Sequence, residues 1–333
     1  MYRIVKYSKD ERRILFRNTS QKMNIHEAII EKDFWVCLTL EYLFHKCKYG
    51  KVFTFKGGTS LSKCYGLIHR FSEDIDLILD WRTLGYQVNE PWEERSNTKQ
   101  DAFNKEANRR AEDFLRDTLL PILKKDLSDI MGEEAQLYID EVDPQTICFS
   151  YPHIFQTESI LQVIRLEIGA LAAWTPAKGV SIEPYAAECY PKAFEQKETI
   201  VLTAAAARTF WEKVTILHHE ANRPENLLMP ERYSRHYYDL YCIAHSENKQ
   251  PAYENKDLLR RVVEFKMKFY PRKWAQYEKA VPGTMKLVPP DYRLDALRKD
   301  YENMSEMMFG EYPSFDELMS YISELESEIN QLS

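Results

Sequence analysis

The stretch FKGGTSLSKCYGLIHRFSEDIDLIL, residues 55–79, opens on a glycine pair and closes on acids set at alternate positions. In a strand alternate side chains share a face, so Asp74 and Asp76 point one way while Ile75 and Leu77 point the other, toward a core. Two carboxylates on one face stand on the order of 7 Å apart and repel unless water or a cation screens them. Glu73 adds a third negative charge. A hard divalent ion such as Mg²⁺ takes oxygen ligands and is usually held by one or two carboxylates together with substrate phosphates. Taken alone, the two aspartates fit a solvent-exposed strand equally well.

The glycines change that weighting. A short strand over residues 52–55, then Gly57 and Gly58, then Thr59 and Ser60 opening a helix, makes a backbone concavity whose N–H groups suit a triphosphate. Lys56 stands at its edge. The pattern has neither the GK[ST] ending of a Walker A loop nor the GxGxxG of a dinucleotide turn. Coupled to the acids of the next strand, it puts phosphate donors and metal ligands at one edge of a sheet. Two-metal phosphoryl transfer needs a further carboxylate. QVIRLEIG, residues 162–169, offers one: Ile164, Leu166 and Ile168 alternate onto a core face, leaving Arg165 and Glu167 together. A polar outer face of an antiparallel strand gives the same spacing.

A chain of 333 residues with 44% apolar residues folds into one large domain or two ordinary ones. The formal charge of −7 excludes a uniformly basic surface, so any nucleic-acid contact must come from local patches. Six scattered cysteines form no CxxC pair and read as reduced thiols, not a zinc site. The start, MYRIVKYSKDERRILF, is too charged for a secretory leader, and no apolar run reaches the roughly 18 residues of a membrane span. These features predict a cytoplasmic protein with no membrane partner.

Helical periodicity runs over residues 24–46, with Lys32 in a gap of the apolar stripe. Either its stem snorkels to water or its ammonium meets a buried acid or a phosphate. Further along, the patterns predict a helix at 61–69, a strand at 74–79 and helix over 98–131 interrupted at Pro121. Strands follow at 136–140, 146–151 and 159–168. From about residue 203 the chain reads as helices at 204–219, 235–245, 255–270, 293–308 and 314–330. The shift divides an α+β domain, 1–200, from a helical domain, 201–333.

These residues resemble the AbiEii/AbiGii family of nucleotidyltransferase toxins, within the DNA polymerase β-like nucleotidyltransferase superfamily. The likeness is carried by FKGGTSLSK with RFSEDIDL. IIEKDFWVCLTLEYL precedes them, VIRLEIG, RTFWEKVTILHHE and SRHYYDLYCIA follow, and the whole covers most of residues 25–245 in the family's order. The resemblance implies a polymerase β-like domain with a mixed sheet and a C-terminal helical domain completing the active-site cleft. It implies an abortive-infection toxin of a type IV toxin–antitoxin system, with a cognate antitoxin. The implied reaction is transfer of a nucleoside monophosphate from an NTP with Mg²⁺ or Mn²⁺. Relatives in the wider group modify the 3′ acceptor end of tRNA and so block translation. Alternatives keep the chemistry and change the acceptor to a protein hydroxyl or a small molecule, or make the chain a non-catalytic nucleotide-binding module.

By the same resemblance Asp74 and Asp76 bind metal, and Glu167 matches the third acidic position. Gly58 and Thr59 hold the triphosphate by that likeness, and Lys56, Gly57, Ser60 and Arg165 beside them are expected to contact nucleotide as well. Lys213 matches a phosphate-binding lysine and Asp239 an active-site aspartate of the second domain. The interval from Gly58 to Asp74 is longer than the superfamily's usual one, and the third acid is Glu where Asp is commoner.

In the helical half Arg235 and Asp239 stand one turn apart and form at most a modest ion pair; Arg235 is expected to orient Asp239 or touch phosphate. His218 and His219 point about 100° apart and do not chelate together; His236 is expected on the helix surface. RRVVEFKMKFYPRKWAQYEK, residues 260–279, is the most basic region. It interleaves Arg260, Arg261, Lys266, Lys268, Arg272 and Lys273 with Phe265, Phe269, Tyr270 and Trp274. Cations beside aromatic platforms suit RNA, while an ordinary amphipathic helix with a solvated basic face has the same composition.

Overall fold

The computed structural model describes residues 1–72, 74–157, 160–172 and 176–332. Glu73, and Ser159 at the start of the strand predicted over 159–168, lie outside the described residues. By its contacts the chain divides into two compact units. One comprises Met1–Cys64 with Phe71–Ala204, the other Tyr65–Arg70 with Ala205–Ser333.

The first unit is built on a seven-stranded mixed sheet. Its strands are β1 (Phe53–Lys56), β2 (Ile75–Leu79), β3 (Gln136–Ile139), β4 (Thr146–Ser150), β5 (Ile164–Gly169), β6 (Ala177–Ile182) and β7 (Thr199–Ala204). Their order is β3-β4-β5-β2-β1-β7-β6. β1 runs antiparallel to β2, which runs parallel to β5, so the three central strands hold the two segments singled out by their acids. β6 and β7 were not anticipated. In β6 glycine and lysine break the alternation, and five of its six residues are only partly covered or exposed.

Helix α1 (Tyr2–Val5) precedes α2 (Lys9–Met23), which starts at a reciprocal Ser8–Glu11 capping box. Asn24 ends α2 in the left-handed region at φ 54°, and α3 (Glu27–His45) begins two residues later under a His26 cap. All residues of α3 from Ala28 to Leu43 are buried. The predicted stripe therefore understates this helix, which is a core element covered on every side. α4 (Gly57–Lys63) starts on the first glycine itself and ends at Lys63, short of the predicted 61–69. Pro121 lies in the first turn of α6 (Leu120–Met131), where its missing N–H costs nothing, after α5 (Asn97–Phe114) and an intervening π-type turn. α7 (Tyr185–Cys189) completes the unit.

The core of this unit joins Phe34, Trp35 and Leu38 of α3 with Phe53, Phe55, Leu77, Ile147, Leu166 and Ile168 of the sheet. Ile75 and Leu77 are buried as the alternation requires, and β5 buries Ile164, Leu166 and Ile168 on one face.

The second unit is helical: α8 (Ala206–Ala221), α9 (Ser234–Ala244), α10 (Lys249–Glu254), α11 (Lys256–Phe269), α12 (Asp291–Met304) and α13 (Phe315–Asn330). α8 packs on α9, α10 and α11, and α9 on α12 and α13. Phe210, Trp211, Leu217, Tyr237, Leu240, Val262 and Leu318 form its interior. Residues 65–70 belong here because the His69 N–H donates to the Tyr238 hydroxyl, the Phe309 N–H donates to the His69 carbonyl, and Arg70 bridges to Met308.

Candidate active site

Strand register aligns the sheet-edge residues. Lys56 of β1 lies opposite Asp76 of β2, and Asp76 lies opposite Glu167 of β5. Three strands thus carry Lys56, Asp76 and Glu167 in one row, with Asp74 just ahead of β2. Asp74, Asp76 and Glu167 are each half-buried. Gly57 closes the row. Its φ is +79°, and a Cβ added there would come within 1.9 Å of an Asp76 carboxylate oxygen. The glycine supplies both the left-handed turn and the room for the carboxylate.

Thr59 and Ser60 do not cap α4, whose first turn has no side-chain cap. The Thr59 hydroxyl instead donates to the Asp74 carbonyl and lies 3.1 Å from Ser72 Oγ, fixing the main chain ahead of β2. Ser60 donates back to the Gly57 carbonyl at 2.9 Å. Arg165 lies 3.6 Å from Glu167 but makes its hydrogen bond to Asp140 at 2.5 Å. Asp140, held well below the usual carboxylate range by backbone N–H groups and Arg165, closes the strand expected over 136–140, and nothing in the local sequence points it at Arg165.

Burial first, and then the charges of Asp76 and Asp74, push the Glu167 carboxyl up to about 7. Its side chain is 40% exposed, so the neighbouring acids weigh heavily in that rise. Among the described residues no three His, Cys, Asp or Glu side chains converge as a closed metal cage. The acids share a field without meeting at one point. That arrangement fits a hard cation taken up by one or two carboxylates and completed by phosphate oxygens, and the excess negative charge at Glu167 favours such a cation.

In the helical unit Asp239 is fully buried. Arg70 grips it through two bonds, Nε to Oδ1 at 2.7 Å and a terminal nitrogen to Oδ2 at 2.8 Å. The Lys213 ammonium donates to the same Oδ2 at 2.7 Å and contacts His236 Nδ1 at 3.0 Å. Burial would raise the Asp239 pKa, but the two cations overturn it and hold the carboxyl far below its usual range. Burial depresses the Lys213 ammonium despite Asp239, and drives His236 well below its usual value, so His236 is neutral and can accept.

Two expectations are corrected here. Arg70, not Arg235, is the arginine that orients Asp239, because the backbone of residues 65–70 runs alongside α9. His236 is not a surface residue; it is half-buried against Lys213. Arg70 opens RFSEDIDL, between the helix expected at 61–69 and the strand expected at 74–79, where no local pattern gives it a role.

The basic segment is less open than its composition implies. Arg260 pairs with Asp257 and Glu264, and Arg261 with Asp257. Phe265 and Phe269 face the core, so they cannot serve as stacking platforms. Tyr270 stays half exposed, Arg272 and Lys273 are exposed, and Lys266 and Lys268 are half-buried. Trp274 stacks at 4.4 Å from His219 and lies 4.9 Å from the Arg223 guanidinium. Lys32 does not snorkel: it is fully buried, with its ammonium on the Leu161 carbonyl at 2.7 Å.

A mixed-sheet α+β unit carrying a glycine turn beside two alternate aspartates, followed by a helical unit, is the architecture of a nucleotidyltransferase. The chain belongs to the nucleotidyl transferase AbiEii toxin family of type IV toxin–antitoxin systems, whose model matches residues 41–321. No curated protein sequence matches it. Among solved structures it is similar to MenT4, a nucleotidyltransferase toxin from Mycobacterium tuberculosis H37Rv. The identity is 14% and the TM-score 0.49, over 95% of this chain and 99% of that one. Nucleotidyltransferases take an NTP and a divalent metal, and the family implies a cognate antitoxin. No described helix is long and apolar enough to cross a membrane.

Proposed function

We propose that this toxin transfers a nucleoside monophosphate from an NTP to the 3′ end of a tRNA, and so stops translation in the cytoplasm. The observation that carries the reading is the register row Lys56–Asp76–Glu167, with Asp74 and Gly57 beside it. Asp74 and Asp76, with Glu167, would hold Mg²⁺ or Mn²⁺, which when bound lowers the proton affinity of a hydroxyl and offsets phosphate charge. The backbone and side chains of Lys56–Ser60 would hold the triphosphate, and Arg165 would balance charge near Glu167. Lys213, fixed by Asp239, would supply positive charge to phosphate. In the transfer the 3′ oxygen forms a bond to the α-phosphorus while the bond to the β-phosphate bridging oxygen breaks. Pyrophosphate leaves, and the hydroxyl proton passes to solvent. The exposed Arg272 and Lys273, beside Tyr270, offer an RNA backbone contact.

The test is incubation with each α-labelled NTP and total tRNA under Mg²⁺ or Mn²⁺, beside Asp76→Ala. Label on tRNA that vanishes in the variant is expected. Label on protein or on a small molecule instead would move the acceptor, and undiminished toxicity of Asp76→Ala in cells would favour a non-catalytic module.

A further inference from the structure

Three consecutive residues of α3, Glu31, Lys32 and Asp33, are charged, and their relative exposures are 0%, 0% and 4%. Successive helical residues point about 100° apart, so three in a row meet three different surroundings. A buried charge without a matched partner costs several kcal/mol, so each needs a specific counterpart. In every case at least one counterpart lies in a segment that leads to the sheet edge or supports it.

Glu31 accepts from the backbone N–H groups of Ile154 and Phe155, each at 2.9 Å. Lys32 donates to the Leu161 carbonyl. Both partners lie in the connection from β4 to β5, and Leu161 stands three residues ahead of Ile164, where β5 begins. Asp33 turns elsewhere. It pairs with Lys63, the last residue of α4, at 2.7 Å, and accepts from the Tyr185 N–H at the start of α7 at 2.7 Å. The Lys63 ammonium also lies 4.0 Å from the centre of the Tyr185 ring. Apolar packing would hold these segments without setting their register. Charge-assisted bonds fix distance and direction together.

We infer that Glu31, Lys32 and Asp33 are positioning residues that set two parts of the candidate site separately. Glu31 and Lys32 fix the lead into β5 and with it Glu167; Asp33 fixes α4 and with it the glycine pair. The inference rests on reading the Asp76–Glu167 edge as the reacting site, and it extends that reading by assigning the support of each half to one helix.

The test compares full-length Lys32→Met with the double variant Asp33→Asn/Lys63→Met. The double change removes both charges of the pair, so neither is left buried alone. Amide hydrogen exchange is measured without substrate, and transfer kinetics are measured with it. Lys32→Met is expected to speed exchange over residues 160–169 about tenfold, and to lower kcat while KM for NTP stays within about twofold. The double variant is expected to speed exchange over Gly57–Lys63 and to raise KM for NTP, with β5 still protected. Lys32→Arg, which keeps a donor, should restore protection at 160–169. Equal loosening of both segments in either variant, or unchanged exchange in folded Lys32→Met, overturns the inference. If Lys32→Met does not fold, Glu31→Gln probes the same connection with the same expected pattern. A parent protein without transferase activity would sink the functional reading alone, because exchange is read independently of the reaction.

Discussion

At the sheet edge three carboxylates crowd one field, whereas in the helical unit one carboxylate is wrapped by two cations. Glu167 is pushed up to about 7 by burial and by Asp76 and Asp74, while Asp239 moves far the other way under Arg70 and Lys213. The first group is half-exposed, with Lys56 opposite Asp76 in the register and Arg165 3.6 Å from Glu167; the second is buried, with two cations on one carboxylate. Excess charge of one sign at an accessible edge is a binding site for the opposite sign. Opposite charges paired in an interior are a fastener. The same residue type therefore serves two ends, and its surroundings decide which.

Breaking the fastener should give the largest effect. Asp239→Ala leaves Arg70 and Lys213 buried without their carboxylate, and a loss of about 3–5 kcal/mol in urea unfolding is expected. The matching change at the sheet edge should cost activity far more than stability. Asp76→Ala is expected to lower NMP transfer by at least ~100-fold, on the scale of removing one electrostatic stabiliser, while the melting temperature falls less than in Asp239→Ala. A melting temperature that falls as far as in Asp239→Ala would erase the contrast.

Acid sharpens the comparison next. His218, His219 and His236 all have folded-state values below the usual one, with His219 at about 4. Stability from keeping a histidine neutral is complete above its unfolded value near 6.5 and is lost as pH falls toward the folded value. Between pH 7 and 5 the helical unit should lose roughly 1–2 kcal/mol through His219 alone. Glu167 has the opposite sign. Its raised carboxyl is disfavoured as an anion, so the sheet edge gains stability as pH falls from 7 toward the ordinary carboxylate range. Exchange rates corrected for intrinsic pH dependence should therefore rise in α8 and not in β5. The smallest effect belongs to Arg260 and Arg261. Their pairs with Asp257 and Glu264 are exposed, so the melting temperature should stay essentially unchanged when either arginine becomes alanine. tRNA affinity should fall less in those variants than in Arg272→Ala or Lys273→Ala.

Alternation was enough to place Asp76 and Glu167 on outward faces and Ile75, Leu77, Leu166 and Ile168 inward, because a strand's period is short and local. Their adjacency was not legible, since which strands neighbour one another depends on tertiary pairing. Five of the six α-helices described over residues 204–330 were readable to within four residues at their ends from apolar periodicity, while the six-residue α10 is too short to show one. α3 was found but misjudged, because a helix buried all round has no stripe to display, and its Lys32 looked like a gap in one. β6 was missed for want of alternation. Arg70 escaped because its partner lies 169 residues away, beyond any pattern a local reading can register.

That separation bears on how the protein comes into being. During synthesis residues 65–70 emerge long before Tyr238, Asp239 and Phe309, the groups that hold them. Until the ribosome has made α9, the hexapeptide that leads toward Asp74 lacks its contacts with Tyr238 and Asp239. A polypeptide terminated early would thus carry Asp74 and Asp76 behind an approach missing those contacts. Splitting the gene at the 204–205 junction would strand that hexapeptide in the wrong fragment, and only co-expression of both halves could seat it again.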